Sequence, residues 1–108
     1  MEKTEVLAAW LREQARWRMA LAARSSDDTD ARSAVALLDA AAYVADLPPD
    51  DPEVCRLIDA GCLIGTMTRF GDNAVRLIRN WSHRTAGPRE ILRALATVAE
   101  RESGLLRG

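Results

Sequence analysis

Residues 10–19, WLREQARWRM, combine two tryptophans seven residues apart with three arginines, a composition that could stack on nucleic acid. A stacking platform needs the aromatic rings and the cations on one exposed surface. At 100° per residue, Trp10 and Trp17 fall within about 20° of each other on a helix, whereas Arg12 and Arg16 point elsewhere. We therefore expect the two tryptophans to lie in a core or at an interface.

Two polar residues, Gln14 and Arg18, fall inside the apolar arc of the same predicted helix. A buried arginine needs a partner because an unpaired buried charge is very costly. In an antiparallel hairpin with the next helix, Gln14 lies opposite Asp39, and Arg18 lies about one turn away. We expect Arg18 to form a buried pair with Asp39, supported by Gln14. The alternative is that Arg18 holds the carboxylate or phosphate of a ligand or partner.

Charge is polarised along the chain. Residues 69–93 hold six arginines and two acids, whereas residues 27–60 hold nine acids and two arginines. A basic face on the fourth predicted helix could follow nucleic-acid phosphates, meet the acidic part of another subunit, or simply be solvated. The residues that would contact nucleic acid are Arg69, Arg76, Arg79, His83 and Arg84.

Catalysis and metal binding find little support in the residue pattern. His83 is the only histidine, and no carboxylate lies three or four residues away to orient its ring. Cys55 and Cys62 would be about 10.5 Å apart on one helix, which is too far for a disulfide. The segment 65–72, GTMTRFGD, lacks the Lys-Ser/Thr of a nucleotide-binding loop. We expect a non-enzymatic protein without catalytic residues, metal or cofactor.

The elements that position these residues are predicted to be helices. Alternating β-branched runs and Asn-Gly or Asp-Gly turns are missing, whereas helix caps and breakers are frequent. Asp51 with Pro52 marks one helix start, Asp72 caps another, and Gly87 with Pro88 separates the last two helices. The predicted helices cover residues 3–24, 30–46, 52–64, 73–86 and 88–103, with the segment 65–72 as a loop.

These elements predict an all-α fold, a compact bundle of about five helices in a single domain over residues 1–108. The short turn after the first helix makes the first two helices a long antiparallel hairpin. The acidic start, MEKTEVLAAW, lacks the apolar run of a signal peptide. No uncharged stretch approaches the roughly 20 residues that span a bilayer, so we expect a cytoplasmic protein without a membrane partner.

The first two predicted helices carry more apolar surface than one core needs. The apolar arc of the first covers roughly 220°, against about 100° for a typical surface helix, and the second is apolar nearly all round. We therefore expect a self-associating protein-interaction module, a homodimer, with a different protein partner left open. The alternatives are a nucleic-acid-binding accessory protein and a small-molecule-binding domain with its site near Arg18. The predicted interaction surface is Val6, Leu7, Trp10, Leu11, Trp17 and Leu21.

Overall fold

The computed structural model describes residues 2–25, 28–84 and 87–107. This part of the chain contains five helices and two short strands, in the order α1 (Lys3–Ala22), α2 (Thr29–Ala45), α3 (Pro52–Asp59), β1 (Leu63–Ile64), β2 (Met67–Thr68), α4 (Asp72–Arg79) and α5 (Pro88–Arg107). The predicted all-α class is confirmed, and α1 and α2 make the most extensive contact of any two elements. Among the described residues, none of the helices combines the length and the apolar character that a bilayer crossing requires.

One hydrophobic core draws on all five helices and on the first strand. The side chains that are completely buried include one large aliphatic residue from every helix: Leu7, Leu37, Leu57, Ile78 and Leu95. The ring of Trp10 packs against Phe70 with 4.1 Å between centroids, so α1 contacts the segment after the hairpin as well as α2. Burial of this apolar surface, at about 25 cal/mol per Å², is the main favourable contribution to folding.

The third helix ends at Asp59, five residues earlier than the predicted 64. Gly61 has a φ of +80° and terminates the helix in a Schellman motif. Its N–H donates to the carbonyl of Ile58 at 2.9 Å, and the N–H of Cys62 donates to the carbonyl of Leu57 at 3.0 Å. Glycine adopts this left-handed conformation without steric cost, so Gly61 is the signal that the sequence analysis overlooked.

A small antiparallel hairpin, β1–β2, follows α3 where the sequence predicted the end of a helix and a loop. Ile64 pairs with Met67 across a two-residue turn formed by Gly65 and Thr66. Gly65 has a φ of +60° and Thr66 does not have a positive φ, the pattern of a type II′ turn. The expectation that strands are missing is wrong here. It relied on alternating β-branched runs, which two-residue strands are too short to show, and on Asn-Gly and Asp-Gly turns, which belong to a different turn type.

The fourth helix covers Asp72–Arg79 rather than the predicted 73–86. Asp72, which the sequence analysis assigned as the cap, is the first helical residue, and Gly71 stands at the cap position. Trp81 lies just beyond the helix, although its spacing from the apolar residues of α4 suggests that the helix continues. Residues 85 and 86, the predicted end, lie outside the described residues. The fifth helix runs four residues beyond the predicted 103.

Both ends of α4 are capped by side chains from other helices. At its N-terminal end, Glu102 of α5 accepts a hydrogen bond from the N–H of Ala74 at 2.9 Å. At its C-terminal end, Arg18 of α1 donates through Nη1 to the carbonyl of Arg79. A carboxylate at the N-terminus and a guanidinium at the C-terminus both complement the helix dipole. Eight residues form only a marginal helix alone, so these long-range caps help to fix α4 in place.

Candidate interaction surface

The structure buries most of the predicted interaction surface of α1 inside the chain. Four of its six residues are at most 8% exposed: Val6, Leu7, Trp10 and Leu11. Trp17 is 39% exposed and Leu21 is half-buried. The prediction is therefore wrong for the four buried residues, which a partner cannot reach in the folded protein. The physical reason is that α1 contacts α2, α4 and the hairpin, so that three neighbours cover its wide apolar arc.

Arg18 is buried, as the sequence predicts, but its partner is Asp30 and not Asp39. Its Nε lies 2.6 Å from Oδ1 of Asp30. Its Nη1 also donates to the carbonyls of Arg79 and Trp81, the latter at 3.3 Å. Asp39 is exposed, and nine residues from Asp30 it points to the opposite side of α2. The prediction used the position of each residue along the α1–α2 pair, but not its angle around the axis of α2.

Gln14 is also buried, but it supports Arg79 and not Arg18. The Nε of Arg79 donates to Oε1 of Gln14 at 2.9 Å. The same guanidinium lies over the ring of Trp17, 4.6 Å from its centroid.

The guanidinium of Arg18 is engaged by the carboxylate of Asp30 and by two main-chain carbonyls. These contacts favour a structural role for Arg18 over the alternative in which it holds an anionic ligand.

An ion-pair cluster that the sequence analysis did not anticipate joins α2, α3 and α5. Arg89 donates to both carboxylate oxygens of Asp51, at 3.0 and 2.8 Å, and to Glu53 at 3.1 Å. Its Nε donates to the hydroxyl of Tyr43 at 2.9 Å. Asp51 also caps α3, as predicted, because its Oδ1 accepts hydrogen bonds from two amides of the first turn. Asp51 and Glu53, from the acidic segment 27–60, are therefore paired with Arg89, from the basic segment 69–93, within one chain.

We expect Asp51→Asn to lower the free energy of unfolding at neutral pH by about 1–2 kcal/mol, because asparagine keeps a capping oxygen but loses the charged pair with Arg89. The hydrogen bonds from Arg89 hold the pKa of the Asp51 carboxyl below its ordinary value. Because the pKa of Asp51 is lower in the folded protein, its ionised carboxylate stabilises the fold at pH values above its unfolded pKa of about 3.9. This stabilisation is lost as the pH falls through the folded-state pKa.

The difference in stability between wild type and Asp51→Asn should therefore shrink as the pH falls below about 4. Thermal unfolding followed by circular dichroism between pH 7 and pH 2 measures this difference. Asp50→Asn is the matched control, because Asp50 is the exposed neighbour of the same charge type. A stability difference between wild type and Asp51→Asn that stays constant over the whole pH range would contradict the ion-pair assignment.

The other predicted nucleic-acid contacts do not form a single group. Arg79 is half-buried and contacts Gln14 and Trp17. His83 is half-buried, and its Nδ1 is enclosed without a hydrogen-bond partner among the described residues. The exposed members of the set are Arg69, Arg76 and Arg84. The basic face is therefore narrower than the sequence suggests.

A cleft of about 480 Å³ lies between the hairpin region and α5. Its lining includes Cys62, Phe70, Arg69 and Glu102. Burial, with a smaller contribution from the Glu102 carboxylate, raises the pKa of the Cys62 thiol. A thiol with a raised pKa stays protonated at neutral pH and is a poor nucleophile, so the cleft gives no support to cysteine chemistry.

The outer face of α2 carries apolar side chains that the core does not use. Val35 is 49% exposed and Leu38 is 41% exposed. Ala42 is exposed on the same face and Ala31 is half-buried. Their spacing of four, three and four residues is that of a heptad seam, the line along which paired helices contact. These four residues form the α2 seam.

The fold and its surfaces define the class of this protein: an all-helical bundle with a short hairpin between its third and fourth helices. Comparison of the chain with known protein families, with curated proteins and with solved structures gives no match in any of the three. In the described part of the chain, no three His, Cys, Asp or Glu side chains are grouped so that they could hold a metal ion. Among the described residues, the large apolar side chains that stay exposed include Val35, Leu38, Ile64 and Met67.

Proposed function

We propose that the protein is a small cytoplasmic, non-enzymatic module that associates with itself through the α2 seam. The observation that supports this proposal is the exposure of Val35 and Leu38 on one line of a helix whose opposite face is fully packed. Covering these side chains removes apolar surface from water, which favours association. A two-fold dimer covers both copies of the seam at once, and it is the commonest closed arrangement of identical chains.

The seam lies on the second of the two helices through which the sequence predicts self-association. It includes none of the six residues predicted for the interaction surface, all of which lie on α1. Met19 of α1, 41% exposed, is a further apolar side chain that an interface could cover. A specific interface buries at least about 1,000 Å² in total, so we expect residues beside the seam to contribute as well.

Sedimentation velocity over a concentration series should show wild-type dimers at roughly tens of micromolar protein. A dissociation constant in this range corresponds to an association free energy of about 6 kcal/mol in magnitude. Leu38→Gln should weaken the dimer by about tenfold or more, because it places a polar amide in the apolar seam. Met67→Gln is the matched control, because Met67 is 70% exposed but lies on the hairpin, away from the seam. A wild-type protein that stays monomeric at about 100 micromolar would overturn the proposal.

Nucleic-acid binding is the second candidate function. Its specific support is Trp17, which is 39% exposed and carries the Arg79 guanidinium over its ring. Arg76, exposed, lies one turn before Arg79 on α4. An exposed aromatic ring beside cations is the arrangement that single-stranded nucleic acid recognises. A gel shift that weakens steeply with salt and is lost in Trp17→Ala would move this candidate to first place.

A further inference from the structure

Three charged residues border the α2 seam along a single line. Arg32, Asp39 and Asp46 are exposed and recur every seven residues, so they follow one flank of the helix. With Val35 at heptad position a and Leu38 at position d, all three occupy position e. Charges beside a heptad seam set the choice and orientation of the partner helix. The three charges on this flank therefore help to determine which helix docks on the seam and in which orientation.

The orientation of the docked helix follows from which flanks meet. In a parallel pair, position e of one helix faces position g of the other, whereas in an antiparallel pair position e faces position e. The g positions of α2 are Ala34 and Ala41, which are buried within the chain and carry no charge. Only an antiparallel second copy brings the charged lines together, so that arginine and aspartate meet.

The register follows from the positions of the charges and of the large side chains. In one antiparallel register, Val35 of each copy packs on the partner's Leu38, and Arg32 lies beside the partner's Asp39. If the partner helix is shifted by one heptad along α2, Arg32 lies beside the partner's Asp46, and the two copies of Asp39 face each other. The first register brings the two large side chains together at the two-fold axis and avoids this contact between like charges.

We propose, building on the self-association proposed above, that a second copy of this chain docks antiparallel on α2, with Val35 on the partner's Leu38 and Arg32 paired with the partner's Asp39. The charged groups are available for this contact. Asp39 is exposed, and the side chain of Arg32 is 63% exposed. Arg32 contacts Asp28, the N-cap residue of the same helix, at 2.9 Å, and such an exposed pair is weak enough to be shared or exchanged.

Two charge reversals, made in separate proteins, test this geometry. Arg32→Asp places two aspartates opposite each other at both ends of the interface, and Asp39→Arg does the same with arginines. Each variant alone should dimerise about tenfold more weakly than wild type at low ionic strength, where exposed charges interact most strongly.

An equimolar mixture of the two variants should form a heterodimer. At the paired positions 32 and 39, one copy then presents two aspartates and the other presents two arginines, so both pairs across the interface are attractive. The mixture should sediment as a dimer at a concentration at which each variant alone is monomeric. In a parallel pair the same residues face alanines, and mixing should restore nothing.

Asp46→Arg is the matched control, because Asp46 lies on the same flank but outside the proposed pairing. It should leave the dimer dissociation constant within about twofold of wild type, and far-UV circular dichroism should show all variants folded. If wild type dimerises but the reversals have no effect, or if Asp46→Arg weakens the dimer and Asp39→Arg does not, the antiparallel pairing is wrong and self-association stands. A monomeric wild type overturns both.

Discussion

Replacement of Trp81 by alanine should reduce the free energy of unfolding by about 3–5 kcal/mol. The side chain is 7% exposed and belongs to the core that all five helices share. Its removal leaves a cavity directly after the C-terminal end of α4, where the neighbouring helices can collapse only in part. A domain of this size has a total stability of about 5–15 kcal/mol, so this loss is a large fraction of it. Urea unfolding followed by far-UV circular dichroism measures the change.

Trp17→Ala is the matched control for Trp81→Ala, because it removes the same side chain from a position that is 39% exposed. At that position the ring is covered by the Arg79 guanidinium, a contact worth about 0.5–1 kcal/mol near the surface. We expect a total loss of roughly 1–2 kcal/mol for Trp17→Ala, and an intermediate loss for Trp81→Phe. If Trp81→Ala unfolds like wild type, Trp81 does not contribute to the core.

The features that follow from nearby residues could be predicted from the sequence. Apolar periodicity is a property of residues three and four apart, so it identified α1, α2 and α5. The short turn after α1 in turn predicted that α1 and α2 form an antiparallel pair. The start of α3 was predicted for the same reason, because Asp51 caps amides only two and three residues away. In each case the interaction that determines the structure lies within one or two turns.

The features that depend on distant residues could not be predicted in this way. The ends of α4 are fixed by Glu102 and Arg18, which lie far from it in the sequence. The choice of Asp30 over Asp39 depends on how α2 is rotated about its axis when it packs. Periodicity gives the width of an apolar arc, but it does not give the number of neighbours that cover the arc. For α1 these neighbours include the β1–β2 hairpin, which was not predicted from the sequence.

The position of the proposed interface illustrates the same limit. The sequence predicts more apolar surface on the first two helices than one core needs. The structure assigns the excess on α1 largely to the core, and it leaves Val35 and Leu38 of α2 exposed. An excess of apolar residues therefore indicates additional contacts, and only the packing of the whole chain shows whether those contacts are internal or external.

Replacement of Arg18 by methionine should lower the free energy of unfolding by about 3 kcal/mol. Methionine keeps most of the apolar stem, so the change removes mainly the charge and its hydrogen bonds. The carboxylate of Asp30 loses its partner, and the carbonyls of Arg79 and Trp81 lose a donor. The side chain of Asp30 is 27% exposed, so water solvates it in part and the effect falls at the lower end of the range for buried pairs.

Removal of both partners should cost less than the sum of the two single replacements, because no unpaired charge then remains in the partly buried site. A double-mutant cycle of Arg18→Met with Asp30→Ala should give a coupling energy of at least about 1 kcal/mol. The matched cycle with Asp39→Ala should be additive within about 0.5 kcal/mol, because Asp39 is exposed on the opposite side of α2. All four proteins of each cycle are unfolded in urea at one fixed concentration, since self-association would make stability depend on concentration. If Arg18 couples to Asp39 and not to Asp30, the pairing that the sequence predicted is the correct one, and α2 is rotated about its axis relative to the structure described above.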